Sequence, residues 1–450
     1  MLPIAIDRHR RERQWAAHRT TAVDGFALFG AVPWSRLGVA MGASTSSVVL
    51  LIPGIFGYGS FGPDDAPLLE YFAGVKEVFA PNLPANYVLR VHEPPPTGSL
   101  DERVASLHDA VWKLKNGIKL RHAEKAVTAE RVHLVGHSTG GLDARLLANP
   151  KFEWVGGPRG RDRTEVIDAI GAIVTLSAPF RGTPLVDSVG VVRDAALAAV
   201  NDLTLLGTFR NSGLDAAYLR LLTGAAGVLR MSAPFRVPPS IVSHAARQAV
   251  RKRVSKKDAV DLAGQIQSFL LKLHDDRQLY DDLSVANLKK INRAIDGGDR
   301  LARIHSYVTV SPKPPLIDIG FGLLGRIVYS TLYRRTARIA LDEPQPAGAS
   351  LGPEATIEDL LKSKVSCDGA VPTRSQTLDG HARRIVLADH LDAVGSFPGG
   401  SGADVMHSDS NFTKDRFKAL WADIASCMTA TDRVSNARDS PRGNGTTVDA

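Results

Sequence analysis

The chain contains very little cysteine and no long uninterrupted apolar stretch, and each absence excludes a class of protein. Only 2 of its 450 residues are cysteine, which excludes a small fold held together by disulfide bonds. It has no CxxC pair and no Cys/His cluster, so nothing in the sequence suggests a zinc site. The most apolar stretch, 315–331, is interrupted by Asp318 and Arg326, so we expect no membrane-spanning helix.

Positive charges exceed negative charges only slightly. There are 55 Lys and Arg residues against 47 Asp and Glu, a net charge of +8. This surplus is too dilute to predict a nucleic-acid surface, and we expect no nucleic-acid partner. With 44% hydrophobic and 23% charged residues, the composition is that of a globular protein with a sizeable core.

The two ends of the sequence differ from the part between them. The first 20 residues are rich in arginine and lack the long apolar stretch of a secretory signal, so we expect a cytoplasmic protein. Residues 1–46 are predicted to form an N-terminal arm. Residues 431–450 are rich in Ser, Arg, Asn, Asp and Gly, and are predicted to be a disordered tail.

Between the ends, short apolar runs alternate with segments of helical spacing. Seven runs predict strands: Val48–Ile52, Val78–Ala80, Tyr87–His92, Val132–Val135, Ala172–Leu176, Ile304–Val310 and Ile385–Ala388. Leu100–Leu114 and Leu142–Leu147 have apolar residues at helical spacing. This alternation predicts an α/β fold with a mostly parallel central sheet and helices on both faces.

Two stretches interrupt the alternation and suggest insertions. Residues 185–300 contain little strand pattern and several helical segments, which predicts a large, mostly helical cap or lid. Residues 313–360 are rich in Pro and Gly around an apolar, basic stretch, and form a second insertion. The α/β core is therefore predicted to consist of 47–184 and 301–430.

The segment Gly136-His137-Ser138-Thr139-Gly140 carries the strongest chemical signal in the sequence. A serine hydroxyl becomes a useful nucleophile when a sharp strand-to-helix turn holds it clear of its own backbone and beside a base. The glycines two residues to either side allow such a turn to close without side-chain clashes. An apolar strand precedes the segment and a helical pattern follows it, so we predict Ser138 as the catalytic nucleophile.

A serine nucleophile of this kind needs two backbone N–H groups to stabilise the oxyanion. One comes from the residue after the nucleophile, here Thr139, at the N-terminus of a helix. The other comes from a loop after an earlier strand, and the segment from Pro53 to Gly57 follows such a strand. We predict the N–H of Ile55 as the second donor, with Phe56 as the alternative.

The acid and the base of the triad are expected to follow the serine along the chain, in that order. Asp368 lies in a turn-like loop, and His390 follows a predicted strand end 22 residues later. A histidine just past a strand end can reach the serine, while the acid fixes its tautomer. Alternatives for these roles remain in the sequence: Asp187 or Asp389 for the acid, and His133, His381 or His407 for the base.

These motifs resemble those of α/β-hydrolase fold lipases and esterases, nearest the bacterial triacylglycerol lipases. The resemblance rests on PGIFGYG, GHSTGGLDARLL, VTLSAPFRGTPLVD, DDLSVANLKKIN, CDGAVP and DHLDAVG, in the family's order. It implies Ser138 as nucleophile, Asp368 as acid and His390 as base. It requires no organic cofactor. Family members often bind calcium near this histidine, but only Asp392 matches a ligand position and Ser396 replaces the expected amide, so we predict no metal.

Several functions are compatible with this set of residues. We expect a serine carboxylester hydrolase, a lipase or esterase, that cleaves lipid or medium-chain esters. An acyltransferase or lipid-remodelling deacylase with the same triad is the alternative, followed by a polyester depolymerase and a catalytically silent scaffold that binds lipid or a partner. A compact basic run at 247–257 is compatible with peripheral contact to an anionic membrane surface, or with a solvated helix face.

Overall fold

The computed structural model describes residues 46–55, 57, 60–61, 69–120, 125–156, 161–187, 278–299, 303–314, 323–338, 366–378, 384–401, 404 and 406–439. The predicted N-terminal arm, most of the cap with its basic run, and most of the second insertion lie outside these residues. Within the described part of the chain, every helix is too short or too polar to cross a membrane.

A six-stranded parallel sheet forms the centre of the described structure. In chain order its strands are β1 (Ser46–Ile52), β4 (Tyr87–Val91), β5 (Ala129–His137), β6 (Ile170–Leu176), β7 (Ile304–Val310) and β8 (Arg384–Leu387). Their order across the sheet is β4-β1-β5-β6-β7-β8, and every neighbouring pair is parallel. The two short strands β2 (Ser60–Phe61) and β3 (Leu69–Glu70) pair with each other in antiparallel fashion.

Helices connect the strands and cover the sheet. They are α1 (Val75–Phe79), α2 (Leu100–Lys115), α3 (Thr139–Ala148), α4 (Arg163–Ala169), α5 (Pro184–Asp187), α6 (Gln278–Asp282), α7 (Val285–Ala294), α8 (Leu323–Arg338) and α9 (Lys414–Asp439). The N-terminus of α2 has a capping box, in which Ser99 and Glu102 each bond the other's backbone N–H.

Strand β1 is buried on both faces, as expected for a central strand of a parallel sheet. Val48, Leu50 and Ile52 pack on the side that holds α2 and α3. Val49 and Leu51 pack on the opposite side, against α1 and α9. The described structure therefore confirms the α/β part of the predicted fold class: a parallel sheet flanked by helices, with a Gly-x-Ser-x-Gly turn at its carboxyl edge, as in an α/β-hydrolase fold. Most of the predicted cap lies outside the described residues.

The predicted strand at Val78–Ala80 is wrong, because this segment belongs to α1 and the short 3-10 turn after it. Val75 and Phe79 are both fully buried on the α9 side of the sheet, and they lie four residues apart. Two residues four positions apart lie on one face of a helix. The predicted run of three residues is too short to show this spacing.

The predicted start of the disordered tail at residue 431 also differs from the structure, since α9 continues to Asp439. Tertiary contacts explain the difference. The Nε2 of His133 lies 3.1 Å from the Asp432 carboxylate, and the hydroxyl of Tyr87 donates to the same oxygen. These contacts hold the C-terminal half of α9 against β4 and β5.

Acidification is expected to destabilise the protein through His92, a buried histidine that follows β4. Burial, and then the charges of Arg103 and Lys113, lower its pKa to about 3. An unfolded histidine titrates near pH 6.5, so the contribution of His92 to stability is complete above that pH. It is lost as the pH falls toward 3, by about 2–3 kcal/mol between pH 7 and 4.5.

Urea unfolding of the wild-type protein and His92→Gln at both pH values checks this prediction. The wild-type protein should lose more stability on acidification than the variant, by the amount given above. If both proteins lose the same amount, His92 is not held neutral by the fold.

Candidate active site

Ser138 occupies a sharp turn between β5 and α3. Its backbone has φ 53° and ψ −127°, a conformation that costs a non-glycine residue of order 1–3 kcal/mol. Its N–H donates to the carbonyl of Leu176 at the end of the neighbouring strand, at 2.8 Å. The residue is only 5% exposed. The surrounding structure thus holds this serine in a strained conformation at the carboxyl edge of the sheet.

The two motif glycines make the turn sterically possible. A Cβ on Gly136 would lie 2.3 Å from the backbone of Gly140, and a Cβ on Gly140 would lie 2.2 Å from the carbonyl oxygen of Ile52. Neither position can hold a side chain without movement of backbone. The spacing that the sequence shows is therefore a requirement of this turn.

The loop after β1 lies directly against the serine. A Cβ on Gly54 would be 2.7 Å from the Cβ of Ser138. Ile55 follows Gly54 and is half-buried, and the turn closes with a hydrogen bond from Gly57 N–H to Gly54 O at 3.0 Å. Thr139 is the first residue of α3 and fully buried. Both predicted oxyanion donors lie in segments next to Ser138, whereas the alternative Phe56 lies outside the described residues.

Asp368 and His390 form a hydrogen-bonded pair. The Nδ1 of His390 lies 2.8 Å from Oδ2 of Asp368, and the backbone N–H of His390 donates to the carbonyl of Asp368 at 3.0 Å. Since Nδ1–H donates a hydrogen bond to Asp368, the neutral ring has its lone pair on Nε2. This is the tautomer that a general base for a serine hydroxyl requires.

Several donors surround the Asp368 carboxylate, which is fully buried. Oδ1 accepts from the N–H groups of Ala370 and Val371, and Oδ2 accepts from Thr309 Oγ1 and Gln376 Nε2, at 2.7–3.2 Å. These four hydrogen bonds fix the orientation of the carboxylate. Thr309 stands near the end of β7, so the sheet edge itself positions the acid.

The other candidate residues have different partners. The His133 ring contacts Asp432 and the His407 ring contacts Asp404, while His381 lies outside the described residues. Asp187 is the last residue of α5. Asp389 precedes His390, but its carboxylate accepts from Ser408 Oγ and from the N–H groups of Leu391 and Asp392.

Burial raises the pKa of Asp389 to about 7 and that of Asp392 well above its ordinary value. Oδ2 of Asp392 accepts from Ser410 Oγ and from the N–H of Asp389. Among the described residues, no group of three or more His, Cys, Asp or Glu side chains is arranged to hold a metal ion. Cys367 and Cys427 are both buried, and no disulfide bond joins them.

Sequence reasoning missed a buried ion pair behind the site. The guanidinium of Arg103, on α2, is 2.6 Å from the Asp143 carboxylate on α3, and both side chains are fully buried. It also donates to the carbonyls of Pro53 and Pro95 at 2.9 Å. Arg103 therefore joins the loop after β1 to the helix that follows Ser138. The sign of this pair in the sequence was Arg103 itself, a charged residue among the apolar residues that α2 buries.

The site also contains two polar residues to which the sequence analysis gave no role, Tyr71 and His137. The Tyr71 hydroxyl is 2.6 Å from Nδ1 of His137, whose Nε2 is 2.7 Å from the carbonyl oxygen of His390. Burial, and then the nearby His390, lower the pKa of His137 well below its ordinary value. His137 is next to the nucleophile in sequence, but nothing local marks Tyr71 as its partner.

Several solved structures resemble this chain at low sequence identity. EstA from Clostridium botulinum is 16% identical over 86% of this chain and 88% of its own, with a TM-score of 0.44. A lipase from Staphylococcus hyicus is 14% identical over 89% and 100%, with a TM-score of 0.45. Lipase 1 from Pelosinus fermentans is 15% identical over 85% and 99%, with a TM-score of 0.43. No protein-family model and no curated protein sequence matches the chain. Resemblance at this level does not assign a function.

Proposed function

We propose that this protein is a serine carboxylester hydrolase of the lipase or esterase type, which cleaves lipid or medium-chain esters through an acyl-enzyme on Ser138. The observation that carries the proposal is the strained turn at Ser138 together with the Asp368–His390 pair, both at the carboxyl edge of the sheet. Folding alone does not require a strained serine, a histidine and a fully buried carboxylate to stand together at one edge of the sheet.

In the proposed reaction, Nε2 of His390 takes the proton of Ser138 as the hydroxyl oxygen attacks the ester carbonyl carbon. Asp368 stabilises the resulting imidazolium. The oxyanion of the tetrahedral intermediate accepts hydrogen bonds from the N–H groups of Ile55 and Thr139. His390 then protonates the departing alcohol and leaves an acyl group on Ser138. Water, activated by the same histidine, releases the acid and restores the enzyme.

Labelling with a fluorescent fluorophosphonate tests the nucleophile and the base. Wild-type protein should be labelled rapidly and Ser138→Ala not at all, because the probe reacts with the serine oxygen. His390→Ala should be labelled at least about 100-fold more slowly than the wild type, because no base then activates the serine. Ser106→Ala, a change to a serine on α2, is the matched control and should be labelled like the wild type. A folded wild-type protein that neither labels nor hydrolyses any ester would contradict the proposal.

Hydrolysis of p-nitrophenyl esters with acyl chains of two to sixteen carbons then separates an esterase from a lipase. A maximum at long chains, raised by detergent or emulsion, indicates a lipase, whereas a maximum at short chains indicates an esterase. Adding an alcohol acceptor and measuring the product ester distinguishes hydrolysis from acyl transfer. Dominant ester formation in water would favour the acyltransferase instead.

A further inference from the structure

A continuous set of hydrogen bonds joins three loops of the site. Tyr71 Oη is 3.0 Å from the N–H nitrogen of Gly54 and 2.6 Å from Nδ1 of His137. Nε2 of His137 is 2.7 Å from the carbonyl oxygen of His390. The set therefore runs from the loop that holds the predicted oxyanion donor, past the residue next to Ser138, to the backbone of the predicted base.

The direction of every bond in the set follows from simple chemistry. A carbonyl oxygen can only accept, so Nε2 of His137 carries the hydrogen. In a neutral ring Nδ1 is then an acceptor, so the Tyr71 hydroxyl donates to it. A tyrosine oxygen that donates its hydrogen still has a lone pair, and this accepts the N–H of Gly54. A neutral His137 with its hydrogen on Nε2 therefore satisfies all three contacts.

Burial supports this assignment. His137 is only 1% exposed, and its ring centroid is 4.8 Å from that of His390 and 5.7 Å from that of Tyr71. A second positive charge this close to His390 would oppose the imidazolium that forms during the proposed reaction. A neutral, tautomerically fixed His137 avoids that repulsion while it holds the His390 backbone in place.

We propose that Tyr71 and His137 are positioning residues that set the distance between the oxyanion loop, the nucleophile turn and the His390 loop. This inference rests on the proposed function, and neither residue is required to touch substrate. The Tyr71 hydroxyl orients Gly54, which precedes the donor Ile55, and His137 orients His390. We call this set of hydrogen bonds, from Gly54 through Tyr71 and His137 to His390, the relay. Its loss displaces the donor and the base relative to Ser138, and a displacement of about 1 Å can cost about 100-fold in rate.

Tyr71→Phe removes one oxygen and leaves the ring packing in place. We expect its kcat to fall by about 10- to 100-fold with KM within about twofold of the wild type, since positioning acts on the transition state rather than on substrate binding. The rate of fluorophosphonate labelling should fall in parallel. His137→Gln should show the same pattern, and the thermal midpoint of each variant shows whether it is folded.

Tyr87→Phe is the matched control, because it removes a tyrosine hydroxyl bonded to Asp432 at the opposite end of the sheet. It should keep the kcat of the wild type. A folded Tyr71→Phe with wild-type kcat, or one whose loss is confined to KM, would overturn the proposal. If the relay proposal is wrong, the wild-type protein is active and Tyr71→Phe is equally active. If the proposed function is wrong, the wild-type protein itself does not hydrolyse esters.

A second measurement does not depend on activity. ¹⁵N-histidine NMR of the full chain, with His137→Gln used to identify the signal, reports which ring nitrogen of His137 carries hydrogen. We expect hydrogen on Nε2 alone, and a shift of the Nδ1 resonance in Tyr71→Phe. Hydrogen on Nδ1, or a resonance that Tyr71→Phe leaves in place, would overturn the relay.

Discussion

Ser138→Ala is expected to lower kcat for ester hydrolysis by about 10⁶-fold while leaving the fold intact. The proposed reaction runs entirely through the serine oxygen, so no other group in the site replaces it. Alanine keeps a Cβ at the same strained backbone position, and only the hydroxyl is removed. The free energy of unfolding should therefore change by less than about 1 kcal/mol.

Ser138→Gly separates the cost of the strained backbone from the chemistry. Glycine adopts a positive φ without a Cβ clash, so this variant should be as inactive as Ser138→Ala but more stable by about 1 kcal/mol. Denaturant unfolding and ester hydrolysis of the three proteins check both expectations. Residual activity above about 1% of wild type in Ser138→Ala would contradict the proposed nucleophile, and an unchanged stability in Ser138→Gly would contradict strain at this turn.

The second large effect is expected from Arg103→Met. This change leaves the Asp143 carboxylate buried without its partner, and breaking a buried ion pair in this way costs about 3–5 kcal/mol. Burial already raises the pKa of Asp143, with Arg103 acting in the opposite direction, so removal of the guanidinium should raise it further. Pro53 also loses a hydrogen bond, and the loop that carries Ile55 is then less well held.

Urea unfolding and steady-state kinetics test this prediction together. Asp143→Leu combined with Arg103→Met should recover most of the lost stability, because no buried charge remains, but not the full kcat/KM, because the bond to Pro53 is still absent. Lys115→Met is the control: its pair with Glu165 is 2.8 Å long but partly exposed on both sides, and its loss should cost about 1 kcal/mol or less. If Arg103→Met and Lys115→Met lower the free energy of unfolding by the same amount, the buried pair contributes no more to stability than the exposed one.

Features that depend on residues close together in the sequence could be predicted, whereas features that depend on contacts between distant segments could not. The strand Val132–Val135 and the turn at Ser138 were predictable, because apolar runs and glycine spacing act within a few residues of each other. The helix at Val75–Phe79 was missed, because the predicted run covered only its last two residues and the partner of its buried face, helix α9, is distant in the sequence. The described strand β5 extends beyond the predicted run at both ends, since pairing with neighbouring strands sets its length.

Residue types, local spacing and order along the chain are enough to predict the alternation of strands and helices, the serine turn and a short set of acid and base candidates. They do not show that Asp368 rather than Asp389 bonds the His390 ring, or that Tyr71 contacts His137 across 66 positions; those pairings are visible only in the folded structure. Such pairings arise where strand ends and loops meet in space, and no periodicity in the sequence records which distant side chains meet there.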